Sequence, residues 1–253
     1  FFFLFSVLSL SISAQELNVM TFNIRLNTSS DDLDAWPHRK DKVASQILFH
    51  GVELLGVQEA LHDQMVDLKE RLPRFNYVGV GRDDGKEKGE YSAIFYDTTR
   101  LQPLESQTFW LSETPTVPGS KSWDAAITRI VTWAKFKDKK AGTTFFAFNT
   151  HFDHMGKVAR RESAKLLLSR VREIAGDVPA VITGDFNSEP KDEPIQIITD
   201  KNNALHLEDT REICQTPHYG PSGTFNGFKS KERGDQPIDY IFINKKWNVL
   251  RHA

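Results

Sequence analysis

Four apolar segments of this chain end alike, and that shared ending narrows the folds open to it. The run Ala180-Val-Ile-Thr-Gly-Asp185-Phe-Asn187-Ser-Glu-Pro190 is an apolar strand closed by a turn that releases an acid and an amide two residues apart. Gly184 permits a tight turn, and in extended backbone Asp185 and Asn187 point to the same side. Taken alone, this ending reads as an Asx turn. Leu17-Asn-Val-Met-Thr-Phe22, however, delivers Asn23; Val52-Glu-Leu-Leu-Gly-Val57 delivers Gln58 and Glu59; Thr144-Phe-Phe-Ala-Phe-Asn-Thr150 delivers His151, with Asp153 and His154 just beyond. Ligand sites in layered α/β proteins gather where strand ends converge, so these four ends imply one shared site.

Between these segments the pattern alternates. Trp36 to Leu48, with Val43, Ile47 and Leu48 at helical spacing, reads as a helix. Leu61, Met65, Leu68 and Leu72 repeat the pattern before Pro73 stops it, and Ser163 to Ile174 makes a third helix. Tyr77 to Val80, Tyr91 to Tyr96, Val131 to Phe136 and Thr143 to Asn149 are aromatic or β-branched and read as strands. Long strands with single helices between them suggest two stacked sheets with helices on the outer faces, an α/β (α+β) architecture.

Thr-Phe-Asn23, Gln-Glu59, Asn149-Thr-His151, Gly-Asp185-Phe-Asn187 and Ile238-Asp239-Tyr-Ile stand in the order and spacing of the endonuclease/exonuclease/phosphatase superfamily, which the chain resembles from about Glu16 onward. The resemblance implies a four-layer sandwich of two stacked mixed β-sheets flanked by helices. It also implies Mg²⁺-dependent hydrolysis of phosphate esters, phosphodiester or phosphomonoester, with nucleic acid among the substrates. Glu59 is the metal-ligand candidate, since Mg²⁺ takes one or two carboxylates and fills its other positions with water and substrate oxygens, and Mn²⁺ can substitute. Asn23 resembles the amide beside that metal. Asp185 and Asn187 sit, by resemblance, where attacking water meets the scissile phosphate. His151 is expected to pair with Glu90 and be held as an imidazolium, a phosphate donor or acid. Arg129 resembles a phosphate-binding arginine, Thr224 and Asp239 two further site positions, and His154 a candidate for the pocket wall.

In the family the acid equivalent to Asp239 orients a second His from a Ser-Asp-His motif. The chain stops at Arg251-His252-Ala253, and His252 lacks that context, so residues 15–253 read as a domain short of this segment and nearly inactive as they stand. Residues 1–14, Phe1 to Ala14, resemble the apolar region and cleavage site of a secretory signal, so a secreted or periplasmic protein without a membrane span is expected. A lone cysteine, Cys214, can form no internal disulfide. With 32 Lys and Arg against 34 Asp and Glu, no broad basic surface for long nucleic acid is evident. A phosphorylated small molecule, or a nucleic acid end, suits this balance, acted on by a monomer with no stable protein partner. The aromatic residues Trp36, Trp110 and Trp123 suggest a wall for a base, sugar or headgroup, or else a core edge. The alternatives to hydrolysis of soluble esters are an inactive phosphate-binding domain and a sphingomyelinase-like phospholipase C.

Overall fold

The computed structural model describes residues 16–229, 234–244 and 246–253. The signal-like segment of residues 1–14 lies outside them. The chain order is β1 (Val19–Asn23), α1 (Trp36–Phe49), β2 (Leu54–Ala60), α2 (His62–Arg71), β3 (Phe75–Val78), β4 (Tyr91–Asp97), β5 (Leu101–Trp110), β6 (Ile130–Asp138) and β7 (Thr144–His151). There follow α3 (Lys157–Ala175), β8 (Ala180–Asp185), α4 (Glu193–Thr199), β9 (Glu208–Asp209), α5 (Thr210–Ile213) and β10 (Asp239–Ile243). Among the described residues these strands form a four-stranded sheet, β1-β2-β4-β3, and a six-stranded sheet, β5-β6-β7-β8-β10-β9.

Three apolar layers hold the sandwich together. Val43, Ala44 and Ile47 of α1 and Met65 and Leu68 of α2 bury Leu55, Val57 and Phe95 on the outer face of the smaller sheet. Ala164, Leu167 and Val171 of α3 and Ile195 and Ile198 of α4 cover Phe146, Phe148 and Ile182 of the larger one. Leu54, Ile94 and Tyr96 meet Ala134, Phe136, Phe145 and Val181 between the sheets. The expected four-layer arrangement is what is found.

The inner layer is not wholly apolar. Asn149 is fully buried; its amide donates to the carbonyls of Val57 (2.8 Å) and Ala93 (2.9 Å), while its oxygen accepts from Gln58 Nε2 (2.7 Å) and Thr183 Oγ1 (3.0 Å). Gly56 is required at this crossing, because a Cβ there would lie 2.1 Å from Thr183 Oγ1 and 2.5 Å from Asn149 Oδ1. The β2–β4 register slips between Val57 and Ala60, and inside that irregularity Glu59 adopts a φ of 64°. A bulge of this kind re-aims a side chain at a sheet rim.

One strand is not marked by the sequence pattern, and one expectation is corrected. The segment around Phe109 and Trp110 ends the long strand β5. Polar residues along most of β5 hid it, because its middle faces outward at the sheet edge. Trp36 and Trp110 are buried, so they form no ligand wall. The Trp36 Nε1 instead donates to Asp67 Oδ2, and Trp110 Nε1 to the carbonyl of Arg82. No helix among the described residues is long and apolar enough to cross a membrane.

Candidate active site

Pairing registers bring the polar strand ends together. Asn23 lies beside Gln58, His151 beside Asp185 on the parallel strands β7 and β8, and Asp239 beside Asp185 on antiparallel β10. Asn23 Nδ2 joins the two sheets, donating to Glu59 Oε1 and to Asp185 Oδ2, each at 3.0 Å. The other oxygen of Glu59 accepts from the backbone of Leu26 at 3.1 Å and lies 3.7 Å from Arg25 Nη1. Gln58 points inward to Asn149 instead, so its part is structural.

Asp185 Oδ1 accepts from the backbone N–H of Asn187, whose side-chain nitrogen donates to the carbonyl of Phe152 at 2.9 Å and faces His151 Nε2 at 3.0 Å. An amide N–H facing Nε2 makes that nitrogen the acceptor, so the ring hydrogen sits on Nδ1. Nδ1 is buried and has no hydrogen-bond partner. Burial, reinforced by Arg129 and Arg82, holds the His151 pKa well below its ordinary value. The ring is therefore neutral, not an imidazolium. Nor does Glu90 pair with it: Glu90 Oε2 lies 2.6 Å from Arg82 Nη1 and 3.9 Å from Arg129 Nη1. A guanidinium outcompetes a buried neutral ring for the carboxylate.

Arg129 is buried, its Nη2 reaches His154 Nδ1 at 3.4 Å, and its Nε and Nη1 are without hydrogen-bond partners. Burial lowers its pKa to about 10, still cationic at neutral pH. Thr224 Oγ1 donates to Asp239 Oδ2 at 2.6 Å and so steadies that acid, while Asp239 Oδ1 is buried without a partner. Burial raises the pKa of Asp185, and burial together with Asp185 raises that of Asp239 well above the carboxylate range. Burial also raises Glu90 against the opposing pull of Arg82 and Arg129. Asp153 is fully engaged, accepting from the backbones of Ala126, Ile127, Met155 and Gly156, and so shapes the turn before α3. His252 contacts His218 at 2.9 Å rather than Asp239.

Asn23 joins Glu59 to Asp185, and Asp239 lies beside Asp185 with its Oδ1 buried and unpartnered. Among the described residues no three His, Cys, Asp or Glu side chains form a complete ligand set. Glu59 is the carboxylate at this rim that could hold a divalent cation which keeps water and substrate oxygens. Asn23 presents nitrogen to the acids and its oxygen accepts from Arg25 N, so it would ligate a cation only with its amide reversed. Sequence reasoning missed Arg25 and Arg82. Arg25 follows the Asn23 motif directly, whereas Arg82 lies in a charged, glycine-rich turn that carries no signal of its own.

The family model described as Endonuclease/Exonuclease/phosphatase family matches residues 20–253. The chain belongs to this family. Among solved structures, an endonuclease/exonuclease/phosphatase from Bacteroides vulgatus is similar at 42% identity, covering 91% of this chain and 88% of that one with a TM-score of 0.87. The mannosyl-6-phosphatase of Bacteroides thetaiotaomicron matches at 41% identity over 93% of this chain and 88% of that one, with a TM-score of 0.89. Protein angel of Drosophila melanogaster is 25% identical over 78% of this chain, which spans 56% of that protein, and Nocturnin of the same fly is 25% identical over 75% of this chain and 31% of its own length. The chain thus spans about half or less of these curated relatives. Family members are phosphoester hydrolases, nucleases and phosphatases among them, that generally use divalent metal ions.

Proposed function

We propose that this protein is an exported, Mg²⁺-dependent hydrolase of phosphate esters that acts by in-line attack of water on a phosphorylated small molecule. The observation that carries the reading is the Asn23 bridge between Glu59 and Asp185, set beside the unpartnered N–H groups of Arg129 and His151. A carboxylate suited to a hydrated cation and buried donors that lack acceptors then share one corner. The likeness to a mannosyl-6-phosphatase over nearly the whole chain favours a small phosphate ester over a polymer.

Magnesium held through Glu59, with Asn23 reversed, would polarise a phosphoryl oxygen and offset its developing charge. Arg129 and the Nδ1–H of neutral His151 donate to the remaining oxygens, and His154 limits how far Arg129 can swing. Asn187 fixes the His151 ring through Nε2. Asp185, with its pKa raised, is suited to orient the water and take its proton. Asp239, steadied by Thr224, supports the same step.

Hydrolysis of p-nitrophenyl phosphate and bis-p-nitrophenyl phosphate tests this reading. Activity should vanish in EDTA and return with Mg²⁺ or Mn²⁺. Undiminished turnover in chelator would sink the metal assignment. Phosphate binding without turnover would favour the binding-domain alternative.

A further inference from the structure

Arg82 takes no part in the reading above, yet it is built into the same corner. Its side chain is 13% exposed, and Glu90, at 12%, stands between it and Arg129, at 5%. Two guanidiniums are thus brought together by one bridging carboxylate. The nearest other acid to Arg82 is Asp83, 43% exposed and 3.7 Å from Nε, beyond hydrogen-bond reach. The charge of Asp153 also acts on Arg129, but both its oxygens are held by backbone N–H groups. Arg82 Nε and Arg129 Nε and Nη1 are consequently buried donors with no acceptor, and Nδ1 of His151, whose ring feels the charge of both arginines, is likewise buried and unpartnered. Buried donors are seldom left unpaired in a folded protein, and a cluster of them marks the place of an absent acceptor.

The backbone fixes Arg82 where it stands. Its N–H donates to the carbonyl of Glu90 at 3.1 Å, and its carbonyl accepts from the buried indole of Trp110 at 2.7 Å. Gly119, at a φ of 75°, lets the neighbouring loop close on this turn, since a Cβ there would lie 2.6 Å from the carbonyl oxygen of Asp83. A guanidinium anchored this way has little ordering left to do when it meets a ligand.

We propose that Arg82 is a specificity-determining residue of the phosphate pocket, which acts with Arg129 to select a doubly charged terminal phosphate over a singly charged phosphodiester. The inference rests on the phosphate-ester reading and narrows its substrate to monoesters. A terminal phosphate offers three free oxygens and close to two negative charges at neutral pH, which match the open donors and the second guanidinium. A diester offers two free oxygens and one charge, and its second ester group would meet those donors with a poorer acceptor.

Calorimetric titration of inorganic phosphate and of dimethyl phosphate into the Mg²⁺-loaded protein at pH 8 tests the assignment. The unaltered protein should bind phosphate at least about tenfold more tightly than dimethyl phosphate. Arg82→Gln should weaken phosphate by about tenfold or more and dimethyl phosphate by less than about threefold, with Arg82→Lys between, because the charge stays while the planar fork is lost. Circular dichroism melts establish that each variant folds; should Arg82→Gln fail to, the Arg82→Lys ratio decides. Equal losses for both ligands, an unchanged ratio, or no phosphate binding by the unaltered protein overturns the proposal, the first showing that Arg82 merely holds Glu90. If the ratio shifts but neither nitrophenyl ester is hydrolysed, the hydrolase reading falls and the Arg82 assignment stands. If hydrolysis proceeds and the ratio does not move, Arg82 alone is wrongly assigned.

Discussion

Replacing Asn149 by alanine tests whether the two sheets are held by a polar knot as well as by apolar packing. Asn149 has no exposed surface and makes four hydrogen bonds: it donates to Val57 O and Ala93 O and accepts from Gln58 Nε2 and Thr183 Oγ1. Once it is removed, Gln58 retains Thr21 Oγ1 and Gly56 O, and Thr183 retains Phe148 O. The two carbonyls lose the donor aimed at them from the facing sheet. A buried hydrogen bond contributes about 0.5–1.5 kcal/mol net, so losing these two should cost about 1–3 kcal/mol. A typical domain has about 5–15 kcal/mol in all, so the loss is a large share of the total. Urea unfolding followed by tryptophan fluorescence reads it as a lower midpoint at unchanged slope. Asn149→Asp should be at least as damaging, since a carboxylate cannot donate to either carbonyl, whereas Thr183→Val, which leaves both donations intact, should cost about 1 kcal/mol. A loss under about 1 kcal/mol for Asn149→Ala would show that the carbonyls find other donors and that the knot adds little.

Asp185→Asn and His151→Ala should each lower turnover roughly a hundredfold or more with the melting temperature nearly kept, the scale of a positioned acid or base, and a near-normal rate in either removes it from the chemistry. Arg129→Lys should raise KM and lower kcat together, because a point charge cannot replace a two-pronged donor; unchanged constants would argue against phosphate contact. Burial lifts the pKa of Asp209 to about 6, above its unfolded value, so this group's contribution is complete below pH 4 and is lost as pH rises to about 6. Asp209→Asn should therefore gain about 2–3 kcal/mol at pH 7 and almost nothing at pH 4, and a gain that does not depend on pH would refute that account.

The strand ends were legible because alternation between apolar runs and abrupt polar groups is a local signal. It placed Asn23, Glu59, His151 and Asp185 at one rim, and hydrogen bonds join Asn23 to Glu59 and Asp185 there. The three long helices were legible for the same reason. Strand β5 was not, because an edge strand with a polar middle carries no inward stripe to read. Pairings across the site were equally hidden. Glu90 has two guanidiniums within reach, and nothing in its spacing from His151 shows that a turn eight residues earlier returns Arg82 to it. That turn is set by backbone bonds and by Trp110, whose neighbours read as a ligand wall rather than as a brace.

One irregularity in β2 links stability to chemistry. The slip between Val57 and Ala60 gives Glu59 its left-handed backbone and turns its carboxylate to Asn23, at the rim where Asp185 also lies. The amide of Asn149 takes the carbonyls of Val57 and Ala93 at the last regular pair before that slip. A straight β2 would turn Glu59 to one face of the sheet, away from the rim, and a bulge without Asn149 would lose the two bonds it makes to Val57 and Ala93. Asn149 also begins the Asn149-Thr-His151 run, so the residue that ties the sheets together stands two positions before His151. Cohesion of the sandwich and alignment of Glu59 with His151 thus depend on the same few hydrogen bonds. Substitutions at Asn149 or Gly56 should therefore disturb the site through its geometry even where the chain still folds.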